Sequence, residues 1–288
     1  MVSNFEEENN SRKAIIFMVL TALFFAIVAA IVKSLSEIPL MVITFFRYLP
    51  SVILIPVIFF LNNQRMLANN KKIMLLRSVF GFLAMLGTFY TYTKMNLADA
   101  MTIAKLSPFF VVLLSTLILK ENLDLKQVIL LIMVIIGTLF IIKPGFNTSP
   151  IFPIFIGIVS AFLLASGHLT LRILRLTDNP YAIIFYFSII SLLISLIFII
   201  VHKDYLITLN ALVIFKLLSI GILSFFSQYF LTMSYRLAKA NLVSLYLYLQ
   251  IVFGGFFGIL FFHEIPDILS SIGILIVIFC GILNFQFQ

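Results

Sequence analysis

Charge is what this chain has least of. Only 10% of its 288 residues are Asp, Glu, Lys or Arg, against about 25% in a soluble domain. The shortage is greatest in acids, with 11 Asp and Glu against 19 Lys and Arg. Outside the N-terminal tail the acids are Glu37, Asp99, Glu121, Asp124, Asp178, Asp204, Glu264 and Asp267, all near the ends of apolar stretches. Cysteine occurs once, at Cys280, which excludes an intramolecular disulfide and reads as a small buried hydrophobe. The three histidines, His168, His202 and His263, are scattered. No HExxH, CxxC or aspartate-rich motif accompanies them, so the ligand clusters of a metal hydrolase are missing and no metal or other cofactor is expected. There is no glycine-rich phosphate loop of an ATP-driven machine. Nor is there a repeated filter or ring of charge such as a channel uses.

What fills the chain instead is apolar sequence: 62% hydrophobic residues and a mean hydropathy of +1.20. A helix crossing a bilayer needs roughly 20 mostly apolar residues. Ten such stretches follow one another, at 14–33, 38–61, 73–93, 97–119, 126–142, 151–171, 180–201, 211–235, 240–262 and 267–285. Open sheet edges cannot face lipid, so these segments are helices. The expected fold is an all-α membrane protein of ten transmembrane helices, multi-pass, in a bacterial cell (inner) membrane. Residues 1–13 read as a polar cytoplasmic tail. The stretch after them reads as the first span rather than a signal peptide, because no small-residue cleavage site precedes a soluble mature domain.

The formal charge of +8 forms no patch or run. Single and paired Lys and Arg at span ends orient a membrane protein, so no nucleic-acid partner is expected. Numbering from a cytoplasmic N-terminus puts 12 of them inside: Arg12, Lys13, Arg65, Lys71, Lys72, Arg77, Lys120, Lys126, Arg172, Arg175, Arg236 and Lys239. Six fall outside, at Lys33, Lys94, Lys105, Lys143, Lys203 and Lys216, and Arg47 lies within a span. The bias places both termini in the cytoplasm.

The chain also echoes itself. Lys33 matches Arg172, Pro39 matches Pro180, Asn96–Ala100 matches Ala238–Leu242, Leu119–Glu121 matches Phe262–Glu264, and Gly137 matches Gly281. The offsets drift in order through 139, 141, 142, 143 and 144, as a duplication with small insertions would leave them. The halves are 14–145 and 146–288. Each holds five spans, an odd number, so the second is inverted relative to the first. Two inverted five-helix repeats are a common basis for alternating access.

Span four and its exit, Ala98-Asp-Ala-Met-Thr-Ile-Ala-Lys-Leu-Ser-Pro108 and then Leu119-Lys-Glu121, are the most specific part of a wider likeness. With Phe46-Arg47-Tyr48, Gly137 followed by Lys143-Pro-Gly145, and the second copy from Ala240 to Glu264, they resemble the drug/metabolite transporter superfamily, specifically its ten-helix EamA-type carriers. The resemblance implies a small-molecule substrate passing through a central cavity between the halves, and no enzyme. Tyr246-Leu-Tyr-Leu249 and Phe262-His-Glu-Ile-Pro-Asp267 are also similar to S-adenosylmethionine uptake carriers of AT-rich intracellular bacteria. The second repeat has Gln250 where the first has Pro108, so a helix break is expected in span four, while a matching break in span nine is left open.

An ionisable side chain inside a span is a functional candidate by default. Arg47 and Lys105 each lie roughly 12–14 Å from a helix end and suit a carboxylate or phosphate. Pro108, near the face of Lys105, should kink or break its helix. Tyr246, Gln250, Gly254 and Gly258 share a face of span nine, with Tyr248 nearby; the tyrosines and Gln250 suit the rest of a polar substrate, the glycines close helix packing. Span eight offers Ser224, Gln228, Thr232 and Tyr235 as a polar stripe, and span six offers His168. The lack of a mid-span carboxylate favours facilitated diffusion or exchange, with His168 leaving room for proton coupling. The reading is a secondary carrier of a small polar metabolite, amino-acid-like or otherwise bearing carboxylate or phosphate. An S-adenosylmethionine uptake carrier or an exporter of amphiphilic drugs stands beside it, and an intramembrane enzyme or scaffold is the non-transport alternative.

Overall fold

The computed structural model describes residues 2–61, 68–95, 97–120, 125–142, 151–202, 210–263 and, within 268–280, all but 270, 274, 277 and 278. The helices are α1 (Val2–Lys33), α2 (Leu40–Leu61), α3 (Lys71–Lys94), α4 (Leu97–Ala104), α5 (Leu106–Leu119), α6 (Leu125–Ile142), α7 (Ile151–Leu174), α8 (Pro180–Val201) and α9 (Ala211–Leu237). A short α10 (Ala240–Val243), a 3-10 turn (Ser244–Tyr248) and α11 (Leu249–Phe262) follow, and the described residues of 268–280 are helical. Among the described residues, six helices are individually long and apolar enough to cross a membrane: the part of α1 from Asn10, and α2, α3, α7, α8 and α9. Spans four and nine reach that length only as pieces stacked end to end. The helical backbone of α1 runs back to Val2, through the segment read from sequence as a tail.

Bulky apolar side chains such as Phe60, Leu61, Phe155, Ile197, Phe215 and Phe261 point outward. The interior holds much of the polarity instead, because lipid offers no hydrogen-bond partners and polar groups must find theirs between helices.

The two-fold inverted plan is visible in the packing. α1 packs on α9 as α3 packs on α7; α2 meets α9 as α3 meets α8; α1 meets α11 as α5 meets α7; and α2 faces α8 on the axis. Gly137 of α6 lies against Gly273 and Ile276, so spans five and ten face each other too. The helix caps repeat as well. Asn70 accepts from Ile73 N–H at the start of α3, and Asn210 from Val213 N–H at the start of α9. Lys120 and His263 end α5 and α11 in the left-handed region, at φ 54° and 55°. Each returns its N–H to a carbonyl five residues back, Ser115 and Gly258 respectively. Gly258 is therefore buried helix-end architecture.

Span four breaks at Lys105, whose φ of −79° and ψ of 1° interrupt the helix between Ala104 and Leu106. Pro108 explains the position: it has no N–H for the carbonyl of residue 104, and it sits in the first turn of α5, where free N–H groups are normal. Span nine answers the point the sequence left open, for it too departs from α geometry, through Ser244–Tyr248. A proline is not required there, because a 3-10 turn bonds each N–H three residues back and so loses no donor. The caps also correct the register. Met95 and Ala238, like Lys120 and His263, are 143 positions apart, which sets Lys105 opposite Tyr248 and Gln250 opposite Ser107 rather than Pro108.

Candidate functional site

The polar interior is assembled from α2, α3, the break in span four, α7, α9 and α11. On α2, Pro50 leaves the Phe46 carbonyl without its helical partner. Gly221 of α9 lies directly against that carbonyl and the Pro50 ring. This close approach brings Arg47, next to Phe46, to Ser224, one turn beyond Gly221. Arg47 is 6% exposed and donates through Nη1 to Ser224 Oγ at 2.9 Å. Its guanidinium carbon lies 5.2 Å from the Phe89 ring centroid, 5.6 Å from Tyr48 and 5.7 Å from Phe25. Aromatic faces attract a cation, most of all where water is scarce. Nε of Arg47 has no hydrogen-bond partner.

Lys105, 4% exposed, donates through Nζ to Gln250 Oε1. The α break makes this reach possible by turning span four where the side chain leaves it. Gln250 interacts also with Tyr92 of α3. Gly254, one turn along α11, provides the close approach: a Cβ there would stand 2.0 Å from Met101 Sδ of α4. Both cations thus belong to the first repeat, and both are held by neutral polar groups of the second.

Of the other residues anticipated from sequence, His168 and Gln228 are buried in the interior. The His168 ring lies 5.3 Å from the Tyr235 ring, and His168 Nδ1 has no partner. Gln228 continues the buried stripe of α9, its carbonyl accepting from Thr232 Oγ1 at 2.7 Å. Tyr246 packs with Leu231, Tyr235 and Val243 beside α1. Tyr248 goes elsewhere, into the packing of Val112, Leu130, Val134, Ile251 and Cys280, and the structure does not bring it to the Arg47–Ser224 pair.

Sequence reasoning missed Arg77. Counted there among the positive charges flanking a span, it is 3% exposed inside α3. Its guanidinium carbon stands 4.3 Å from the Phe187 ring centroid. The signal was its place six residues past Lys71, roughly 9 Å into the span, with Gly81 one turn on and on the same face. Arg172 is likewise buried, its Nη1 donating to the Ala238 carbonyl at 2.8 Å and tying the end of α7 to the end of α9. Among the described residues, no carboxylate pairs with Arg47, Arg77 or Lys105. None of the described His, Cys, Asp and Glu residues gather in threes as a metal site would require.

An integral, multi-pass helical bundle of two inverted repeats, with cations facing neutral partners across the repeat interface, is the architecture of a membrane transporter. The chain belongs to the EamA-like transporter family, whose model matches residues 12–143 and again 151–285. It is 32% identical over 275 residues to the pseudopaline exporter of Pseudomonas aeruginosa, covering 93% of this chain and 95% of that one. It is 28% identical over 264 residues to mouse solute carrier family 35 member G1, covering 87% and 72%. It is 23% identical over 240 residues to the S-adenosylmethionine uptake transporter of Rickettsia prowazekii, covering 82% and 79%. A solved crystal structure 14% identical in sequence superposes with a TM-score of 0.74 over 96% of this chain and 98% of the other, a match of fold. Membership with bacterial carriers of this kind sets the protein in the inner membrane.

Proposed function

We propose that the protein is a secondary transporter for a small anionic metabolite, working by alternating access between residues 14–145 and 146–288, with both termini on the cytoplasmic side. One observation carries this reading. Arg47 and Lys105 are buried between the repeats, and among the described residues each is met by a neutral side chain, Ser224 or Gln250, rather than a carboxylate. Uncompensated buried charge is costly, and a carboxylate or phosphate on the substrate would offset it. Because cation and neutral partner come from different repeats, relative movement of the repeats would make and break the site, as alternating access requires. The absence of a mid-span acid supports facilitated diffusion or exchange.

The aromatic lining around Arg47 supports a second reading, in which the substrate is amphoteric and an accompanying cationic group stacks on a ring face that Arg47 leaves open. S-adenosylmethionine fits that description, and one relative carries its name.

The test is a thermal-shift screen of purified protein against amino acids, S-adenosylmethionine, nucleotides and sugar phosphates, followed by liposome uptake of each hit. A ligand bound only to the folded state raises its apparent stability. Arg47→Ala should lower uptake about tenfold or more, since a hydrogen bond to a charged group is worth about 1.5–3 kcal/mol, while leaving folded protein in the membrane. Full uptake in that variant would remove Arg47 from the site; no shift with any anion would sink the anionic reading.

A further inference from the structure

Arg77 extends that site, and the following inference rests on the anionic reading of it. Besides Arg172 at the end of α7, three cations among the described residues are buried within the spans: Arg47 on α2, Arg77 on α3 and Lys105 at the span-four break. They are not independent. The Tyr48 ring links two of them: it lies 5.6 Å from the Arg47 guanidinium carbon and 5.0 Å from the Phe187 ring that Arg77 faces at 4.3 Å. Like charges so placed repel, and among the described residues no carboxylate accompanies any of them.

Arg77 is built into a slot rather than a surface. A Cβ on Gly81 would stand 2.3 Å from its Nη1, and one on Gly167 of α7 would stand 3.3 Å from it. The two glycines therefore make the room it occupies, with Phe187 of α8 closing one side at 4.3 Å. Its Nε is buried with no partner. Beside it the Tyr48 hydroxyl is also buried, with no hydrogen bond of full geometry but with Arg47 and Ser191 as polar neighbours, while the Tyr48 ring packs edge-on to Phe187 at 5.0 Å. A guanidinium and a phenol with free hydrogen-bonding capacity, next to the Arg47 site, form a second anion station. Arginine suits this role because its planar fork matches a carboxylate or phosphate.

We infer that the transported substrate carries at least two anionic groups, one received at Arg47 and Lys105 and another at Arg77 with Tyr48. A dicarboxylate, tricarboxylate or phosphorylated acid meets the requirement; a simple monocarboxylate leaves Arg77 unmatched. Arg77 is thus a specificity-determining residue for charge number.

The experiment measures thermal-shift titrations of purified full-length protein with lactate, succinate, citrate and 3-phosphoglycerate at constant ionic strength. Wild type should bind the last three more tightly than lactate. Arg77→Gln should weaken the polyanions about tenfold or more, the scale of a lost charged hydrogen bond, and lactate by much less, whereas Arg47→Gln should weaken all four. Arg77→Lys, which keeps the charge and loses the fork, should fall between. Tyr48→Phe removes only a hydroxyl and should lower polyanion binding alone, so the inference stays testable if Arg77→Gln does not fold. Equal losses for lactate and citrate in Arg77→Gln and Tyr48→Phe would overturn it, as would lactate binding as tightly as citrate in wild type. Arg47-dependent lactate binding would then leave the simpler anionic reading standing. Binding of none of the four would defeat both.

Discussion

Gly221→Ala is the sharpest test of how the fold sets the site. The added Cβ would lie 2.4 Å from the Phe46 carbonyl oxygen and 2.7 and 2.8 Å from Pro50 Cγ and Cδ. Ordinary carbon–oxygen contact begins near about 3.3 Å, so α2 and α9 must part locally by roughly 1 Å. Neither obstacle can swing aside, since one is backbone and the other a ring locked to it. Arg47 follows Phe46, and Ser224 lies one turn from Gly221, so the same movement stretches their 2.9 Å hydrogen bond towards about 3.9 Å, past the range in which such bonds hold. Overpacking of this kind costs about 1–3 kcal/mol, and in a chain of this size about 2–4 °C of Tm is lost per kcal/mol. Uptake per folded molecule should fall with it. Ser224→Ala supplies the control: it deletes the hydroxyl, leaves the helices in place, and should lower uptake with a smaller change in Tm. The assay is liposome uptake normalised to monodisperse protein, with melting of the same samples. Wild-type Tm in Gly221→Ala would refute the packing argument. A lowered Tm with wild-type uptake per folded molecule would refute the dependence of transport on the Arg47–Ser224 bond.

Lys120→Gly and His263→Gly should each stabilise the protein, because the left-handed conformation both residues adopt costs a side-chain-bearing residue about 1 kcal/mol. Glycine's greater freedom when unfolded takes back part of that gain. A small rise in Tm, similar for the two because their caps are the same, is the expected result, and a fall in both would contradict the cap geometry. Asp178→Ala should destabilise. The Asp178 carboxylate is buried and accepts from Asn69 N–H at 2.7 Å and Thr177 Oγ1 at 2.6 Å, joining the turn before α3 to the turn before α8. Donors stranded by its removal cost about 1–3 kcal/mol; an unchanged Tm would show that water satisfies them.

Hydrophobic run length made the spans legible in the sequence, since the bilayer demands about 20 apolar residues, and most helix ends fall within a few residues of where the runs end. The duplication was legible because its weak matches stay in order. What escaped was whatever depends on helices meeting. Proline announced the break in span four, but no residue type announces a 3-10 turn, so a break at Ser244–Tyr248 was left open. One face of span nine gathers Tyr246, Gln250 and the glycines, while Tyr248, two residues from each of Tyr246 and Gln250, turns towards spans five and ten. Helical spacing names neighbours along a face, not which face meets the interior.

Arg77 shows the physical limit most clearly. Seen along the chain, a basic residue six positions into a span belongs to the positive fringe that orients membrane proteins. Only the apposition of Gly81 and Gly167 with Phe187 turns that position inward. The same apposition alters what the missing acids mean. Counted along the sequence, they speak against a proton-carrying carboxylate; placed around Arg47, Arg77 and Lys105, they leave positive charge that the described residues do not balance. Buried charge in a protein is either balanced at home or kept for something that arrives. On the function proposed above, in which the two repeats meet at those side chains, the arriving group is the substrate.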